Sequence, residues 1–313
     1  MRRRHFLADL PLLVKIEVFK YIDYETRTRL RGLSRRTREM IDTLPLVLDW
    51  LETSVDPFYI DFRERRNGTL HLVNLSSKPW TFFWEILPVT RNWVDEISIQ
   101  TAFEKLAVIL RNPNLRIRKL AVGAYGQFQH RLKVTREDIH LSLNLLKLIL
   151  GSLHHQLRVR TFAIHFESGE HEVAAFLPHL QPGYLKSLEL WTRRGGVPGY
   201  EQILRMEQWK RLEHLHVKNP PPTLSIEDFW HIPKVRLGGF KMRKGELDRL
   251  INHYLNHDEF QEAVFEGVHD RWVPTTRPES DTQTLHVRNP DGQRLGVEIT
   301  QNLHTGNVVM QRK

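Results

Sequence analysis

The 313-residue chain holds 17 histidines and no cysteine, so metal binding is the first chemistry to weigh. His253 and His257 stand four apart on an expected helix, the spacing of two zinc ligands. The residues between them, Tyr254-Leu255-Asn256, lack the glutamate of a metalloprotease helix, and no third ligand can be nominated. His154-His155 fall at a helix end, where a cation complements the dipole. Absent cysteine removes disulfides, thiolate zinc sites, Fe–S clusters and a cysteine nucleophile. Phosphate-loop, nucleophile-elbow and dinucleotide motifs are all missing. Gly123-Ala-Tyr-Gly126 imitates an RNA-clamping loop but follows a strand and reads as a turn. Neither a metal, a cofactor nor an enzyme is expected. What remains is a binding constellation: Trp191, His214, His216, Lys218, Lys241 and Arg243, an aromatic beside cations. Such a set suits an acidic or phosphorylated protein segment, held by charge-assisted hydrogen bonds and one aromatic anchor. The plain alternative is an ordinary solvated strand face.

A repeat has to position those residues. An apolar-x-x-apolar-x-apolar pattern recurs as Val94/Ile97/Ile99, Ile117/Leu120/Val122, Val159/Phe162/Ile164, Leu185/Leu188/Leu190, Leu212/Leu215/Val217 and Leu237/Phe240/Met242. The middle residues are 23, 42, 26, 27 and 25 positions apart, and four of these intervals fall in the leucine-rich-repeat range. Helical stretches lie between. Thr135–Asp138 reads as a capping box before Ile139–Leu150, with Gly151 as a stop, and Ser225–Asp228 reads as a second box. Others are His171–Leu180, Tyr200–Trp209 and Glu246–Leu255. Strand and helix alternating at this period imply right-handed βα units stacked in one direction. Period two then leaves one strand face open: Ser98 and Gln100, Ala121 and Gly123, Ala163 and His165, Glu189 and Trp191, His216 and Lys218, Lys241 and Arg243. Its N-terminal end is expected small and neutral, its C-terminal end cationic. Asn67-Gly68 marks a two-residue hairpin between Tyr59 and Val73. Trp209 reads as packed under the sheet, with Lys210 exposed.

At the N-terminus, Asp9 can cap a helix opening at Leu10-Pro11 and reaching about Ile22. It carries two apolar faces, one of Leu10, Val14, Val18 and Tyr21, the other of Leu12, Ile16 and Phe19. A helix on the outside of a small domain needs one. Either the chain buries both, or one waits for another protein, and exposure of Leu12, Ile16 and Phe19 together would reveal it. Asp23 and Ser34 can cap two short helices that follow, bearing Leu30 and Leu33, then Met40, Ile41 and Leu44.

Leu10-Pro11, Val18-Phe19, Ile22-Asp23, Leu30, Leu33-Ser34 and Arg38 together resemble the F-box, a three-helix motif that docks on the Skp-type adaptor of cullin–RING ubiquitin ligases. The resemblance implies that Leu10, Pro11, Val18, Phe19, Ile22, Leu30 and Leu33 contact the adaptor or hold the docking helices. Met206-Glu-Gln-Trp-Lys210, followed by Leu212, Leu215 and Val217, is similar to the Gln-Trp-Lys signature of the nematode F-box-associated FTH domain. The tail, with Leu285, Val287, Asp291-Gly292, Leu295, Val297 and Ile299, resembles the C-terminal strands of the same proteins. Such a family implies a substrate-recognition subunit of a Skp–cullin–F-box ubiquitin ligase. Lacking cysteine, it could neither carry ubiquitin as a thioester nor recruit the donor through a RING zinc site.

The expected fold is α+β / α/β: an N-terminal three-helix F-box, then an irregular leucine-rich-repeat-like βα array with C-terminal β-strands. Its divisions are 1–45 (F-box), 46–92 (connecting segment with hairpin), 93–260 (FTH-like repeats) and 261–313 (C-terminal hairpin tail). No stretch approaches 18 apolar residues, and Asp9, Lys15 and Glu17 interrupt any signal-type core, so no membrane partner is expected. A cytoplasmic or nuclear location follows, with the sequons at Asn67 and Asn74 unused. The net charge of +9 is spread along the chain without a block of five like charges, which argues against nucleic acid as a partner. The alternative function is a basic repeat scaffold binding RNA or another polyanion.

Overall fold

The computed structural model describes residues 10–20, 22, 24–55, 58–66, 69–76, 92–96, 99–123, 136–166, 172–192, 200–240, 245–256, 259–266, 282–287, 297–302 and 307–312. They fall into two compact units, divided in sequence between Val159 and Arg160.

The first unit opens with three helices, α1 (Leu12–Lys20), α2 (Tyr24–Arg31) and α3 (Arg35–Thr43). The Lys15 N–H donates to Pro11 O at 3.0 Å, so Pro11 stands at the cap position rather than inside the first turn. The expected caps Asp9 and Asp23 lie outside the described residues. Ser34 does cap α3, its Oγ accepting the Thr37 N–H at 3.1 Å. Phe19, Ile41 and Leu44 form the core of the three helices, with Ile16, Ile22, Leu30 and Met40 packed on it.

Strands β1 (Leu46–Val55), β2 (Phe58–Arg66), β3 (Thr69–Ser76) and β4 (Asn92–Glu96) follow, then α4 (Ile99–Leu110), β5 (Leu115–Gly123) and α5 (Arg136–Gly151). Strands β2 and β3 are antiparallel with Arg66 opposite Thr69, flanking Asn67-Gly68, which lie outside the described residues. The first repeat differs from the expected one. Strand β4 pairs with β3, and Ile99 begins α4, so Val94/Ile97/Ile99 is no repeat strand and Gln100 is helical. Ser98 is outside the described residues. The strand parallel to β5 is β1, which sets Leu48 opposite Ile117, Leu51 opposite Leu120 and Thr53 opposite Val122. Leu48/Leu51/Thr53 is thus the first repeat.

In the second unit β6 (Arg158–Phe166), β7 (Ser187–Thr192), β8 (His214–Lys218), β9 (Lys234–Gly238) and β10 (Glu262–Glu266) are parallel neighbours in sequence order. The helical pieces between them are α6 (Glu172–Phe176) running into a 3₁₀ turn, α7 (Tyr200–Leu204), α8 (Glu207–Lys210) and α9 (Glu246–Asn256). Strands β13 (Asn307–Arg312), β12 (Val297–Asn302) and β11 (Thr282–Val287) continue antiparallel from β10.

The last expected repeat is also displaced. Val235 lies opposite Leu215 and Leu237 opposite Val217, so the repeat is Ile232/Val235/Leu237, all three buried. Phe260/Ala263/Phe265 forms a further buried repeat on β10. Phe240 leaves the strand, since Gly239 turns the chain at φ +75°, and packs on Phe229 and Phe265.

The Ser225–Asp228 box is present, with Ser225 N donating to Asp228 Oδ2 at 2.8 Å, but it caps only a 3₁₀ turn. Trp209 is 2% exposed and its Nε1 donates to Asp228 O at 3.0 Å; Lys210 is exposed and paired with Glu207.

Candidate functional site

The apolar residues of the three helices divide by exposure into two groups. Phe19 is buried at 3% exposure and Ile16 half-buried, so their side of α1 faces the core; the Leu12 side chain lies outside the described set. Leu12, Ile16 and Phe19 therefore do not stand exposed together, and the open side is the other one. The open side is Leu13 at 79%, Val14 at 43% and Val18 at 40%, with Pro11 exposed at the helix start. The turn after α2 adds Leu33 at 70%.

Of the seven residues named from the F-box resemblance, Phe19, Ile22 and Leu30 hold the helices together. Pro11, Val18 and Leu33 are exposed, and Leu10 is half-buried. Leu13 and Val14 belong to the open side and were not among the seven. The two-faced pattern did contain Val14, but periodicity could not say which face the chain would use.

Buried Arg27 ties α2 to its surroundings. Its Nε donates to Ile22 O at 3.2 Å and Nη1 to Pro45 O at 3.1 Å, satisfying one carbonyl ahead of α2 and one after α3. Arg31 grips Asp42 of α3 with two bonds of 2.6 and 3.0 Å. These polar clamps fix the angle between α2 and α3, and with it the position of Leu33.

The second constellation lies on the strand face of the second unit, opposite the buried row Leu188, Leu190, Leu215, Val217, Val235 and Leu237. Parallel register sets Glu189 beside His216 beside Arg236, and Trp191 beside Lys218 beside Gly238. Trp191 is 37% exposed, meets the His216 ring edge-on at 5.3 Å, and carries Lys218 Nζ at 5.6 Å from its centroid. Of the six residues proposed from sequence, the structure thus brings Trp191, His216 and Lys218 together. His214 lies two residues down β8, beside Lys234. Lys241 and Arg243 lie outside the described residues and beyond the end of β9.

One neighbour was missed: Arg236 continues the face on β9 and forms an ion pair with Glu266, while Glu189, which strand parity already put on this face, is acidic. The exposed face is therefore mixed in charge rather than uniformly basic. A Cβ on Gly238 would meet Glu266 Oε2 at 3.4 Å and the Lys218 stem at 3.7 Å, so glycine lets those two side chains converge. Burial holds the His214 imidazole below the ordinary histidine range; Lys234 and Arg160 push the same way and Glu213 opposes.

The small residues read onto an open face of β5 and of β6 are not exposed. Ala121 and Ala163 are buried at 1% and 0%, and Gly123 is buried. These three small residues were expected on an open face and are buried instead. The His165 side chain is outside the described set.

Among the described residues no group of three histidines or carboxylates could hold a metal. His253 instead stacks on Trp230 at 4.4 Å and 11°, and His257 lies outside the described residues. No described helix is long and apolar enough to cross a membrane.

The F-box domain model matches residues 7–49 and the FTH domain model residues 141–281. No relative matches among curated proteins. The three helices with their open apolar side fall within the first match, and Trp191, His216 and Lys218 within the second; the chain is an F-box protein with an FTH domain.

Proposed function

We propose that the chain is the substrate-recognition subunit of a Skp–cullin–F-box ubiquitin ligase. The F-box docks on the Skp-type adaptor, and the FTH domain holds a protein substrate in the cytoplasm or nucleus. The observation that carries this reading is the segregation of apolar residues in α1 and the α2–α3 turn. Phe19 and its partners complete a core, while Leu13, Val14, Val18 and Leu33 are left in water. Leaving large apolar side chains exposed forgoes roughly 1.5–3 kcal/mol each, a cost that a docked partner removes. For the substrate we assign Trp191 with His216 and Lys218 as the anchor, His214 beside them, and Lys241 and Arg243 as flanking cations. An aromatic under a lysine, next to an imidazole, supports capture of an acidic or phosphorylated segment.

Adaptor pull-down with the full chain tests the first half. Wild type binds, and Leu13→Asp/Leu33→Asp loses binding while melting normally; a folded wild type that captures no adaptor refutes the reading. For the second half, Trp191→Ala/Lys241→Glu abolishes substrate capture without changing adaptor binding, and undiminished capture would sink the site assignment.

A further inference from the structure

The α2–α3 corner contains Arg27, Arg29, Arg31, Arg35, Arg36 and Arg38, six arginines in twelve residues, with exposed Leu33 in their midst. We infer that the adaptor surface receiving this corner is acidic, and that its carboxylates set the rate of docking while an apolar seat for Leu33 sets its lifetime. This inference rests on the adaptor reading above.

The arginines are not equivalent. Arg27 is buried and bonded to two backbone carbonyls. Arg31 is paired with Asp42, and Arg35 with Glu39 at 2.8 Å. Those two acids are the whole acidic complement of α3, Arg35–Thr43, and each is already engaged. Arg36 and Arg38 are exposed on the same helix, and among the described residues Arg38 Nε reaches a backbone carbonyl, Arg31 O at 3.4 Å. Their charge is thus offset by no carboxylate of α3.

Leu33 stands in the turn just ahead of these arginines, in hydrogen-bonded backbone. Gly32 N donates to Arg29 O and Leu33 N to Leu30 O, both at 3.1 Å, and Ser34 caps the following helix. The leucine is therefore presented by a rigid turn.

A partner that covers Leu33 comes close to the exposed arginines that begin two residues later, Arg35, Arg36 and Arg38. Covering them with apolar surface alone would strip their water and return nothing. Guanidinium groups match carboxylates in planar, two-bond geometry, so an acidic rim around an apolar seat satisfies both features. A nucleic acid would satisfy the arginines but offers its phosphates no use for a leucine. Charge at a rim acts mostly through association and salt dependence, and a buried apolar anchor mostly through dissociation.

Binding kinetics of the full chain on immobilised adaptor separate the two roles. Wild-type association should fall about tenfold between low and high salt while dissociation barely changes. Arg36→Glu/Arg38→Glu should associate about tenfold more slowly at low salt, with the deficit closing at high salt. Arg36→Gln/Arg38→Gln should lie between, and all variants should melt like wild type. Leu33→Ala should keep its association rate and dissociate about tenfold faster. Association indifferent to salt and to charge reversal overturns the inference and leaves the adaptor reading standing. Absence of adaptor binding by wild type at every salt overturns both. If reversal abolishes binding of a single-stranded RNA oligomer and leaves adaptor kinetics unchanged, the arginines serve a polyanion and the inference fails.

Discussion

His214 is half-buried on β8, with Lys234 beside it in register, and burial is the largest force keeping its imidazole neutral. The sign of the consequence is fixed by linkage. With the folded pKa below the unfolded value, the unfolded chain binds more protons in the window beneath about pH 6.5. Stability is then fully present above that value and declines as pH falls through the folded pKa. Denaturant midpoints measured from pH 7.5 to 5 should drop more steeply for wild type than for His214→Gln. His179, lowered by burial as well, remains in both proteins and cancels from the difference. Parallel curves would show that His214 contributes nothing to the slope. The sequence did place this residue on the same face as His216 and Lys218, because strand parity needs only the position of two buried apolar residues, Leu215 and Val217. It misplaced the next repeat, whose frame the apolar pattern alone does not fix. Leu237/Phe240/Met242 satisfies the apolar template as well as Ile232/Val235/Leu237 does, and only pairing with β8 decides between them.

At the scale of elements, the repeats on β1 and β10 escaped detection through one shared property: a small or polar residue at a position the pattern requires to be large and apolar. On β10 it is Ala263, and on β1 it is Thr53, 4% exposed and opposite Val122. Among the described residues the buried Thr53 hydroxyl meets no hydrogen-bond partner. An unpaired buried polar group costs about 1–3 kcal/mol, whereas an apolar group of the same shape costs nothing comparable. Thr53→Val should therefore raise stability by about 1 kcal/mol, seen as a higher denaturant midpoint with an unchanged slope. A loss of stability would mean that the hydroxyl is satisfied. Long-range order, too, hid the β1 repeat: its partner β5 comes more than sixty residues later, after the hairpin β2–β3 and α4. A search for a period cannot see a pair separated by an insertion of that size. The helices were more legible, since each needs only local signals. Ser34 capped α3 as expected and the Phe19 face found its core, although the sequence could not say which side of α1 would stay open.

For the molecule as a whole, the match to the FTH domain ends at residue 281, yet the second unit's sheet does not. Strand β13 pairs antiparallel with β10, placing Met310 opposite Ala263 and Val308 opposite Phe265. All four are completely buried. A chain ending at Asp281 would leave β10 as an open edge, with a row of unpaired N–H and C=O groups and an uncovered core. Such an edge pairs with copies of itself, so the truncated protein should elute as soluble aggregate by light scattering and melt at lower temperature. Reducing agent should not dissolve that aggregate, because the chain has no cysteine with which to cross-link. The helices α1–α3 belong to the first unit, so adaptor capture should survive the truncation while substrate capture through Trp191 is lost. A truncated chain that stays monomeric and melts like wild type would show that β11–β13 are dispensable, and that the parallel strands alone close the fold.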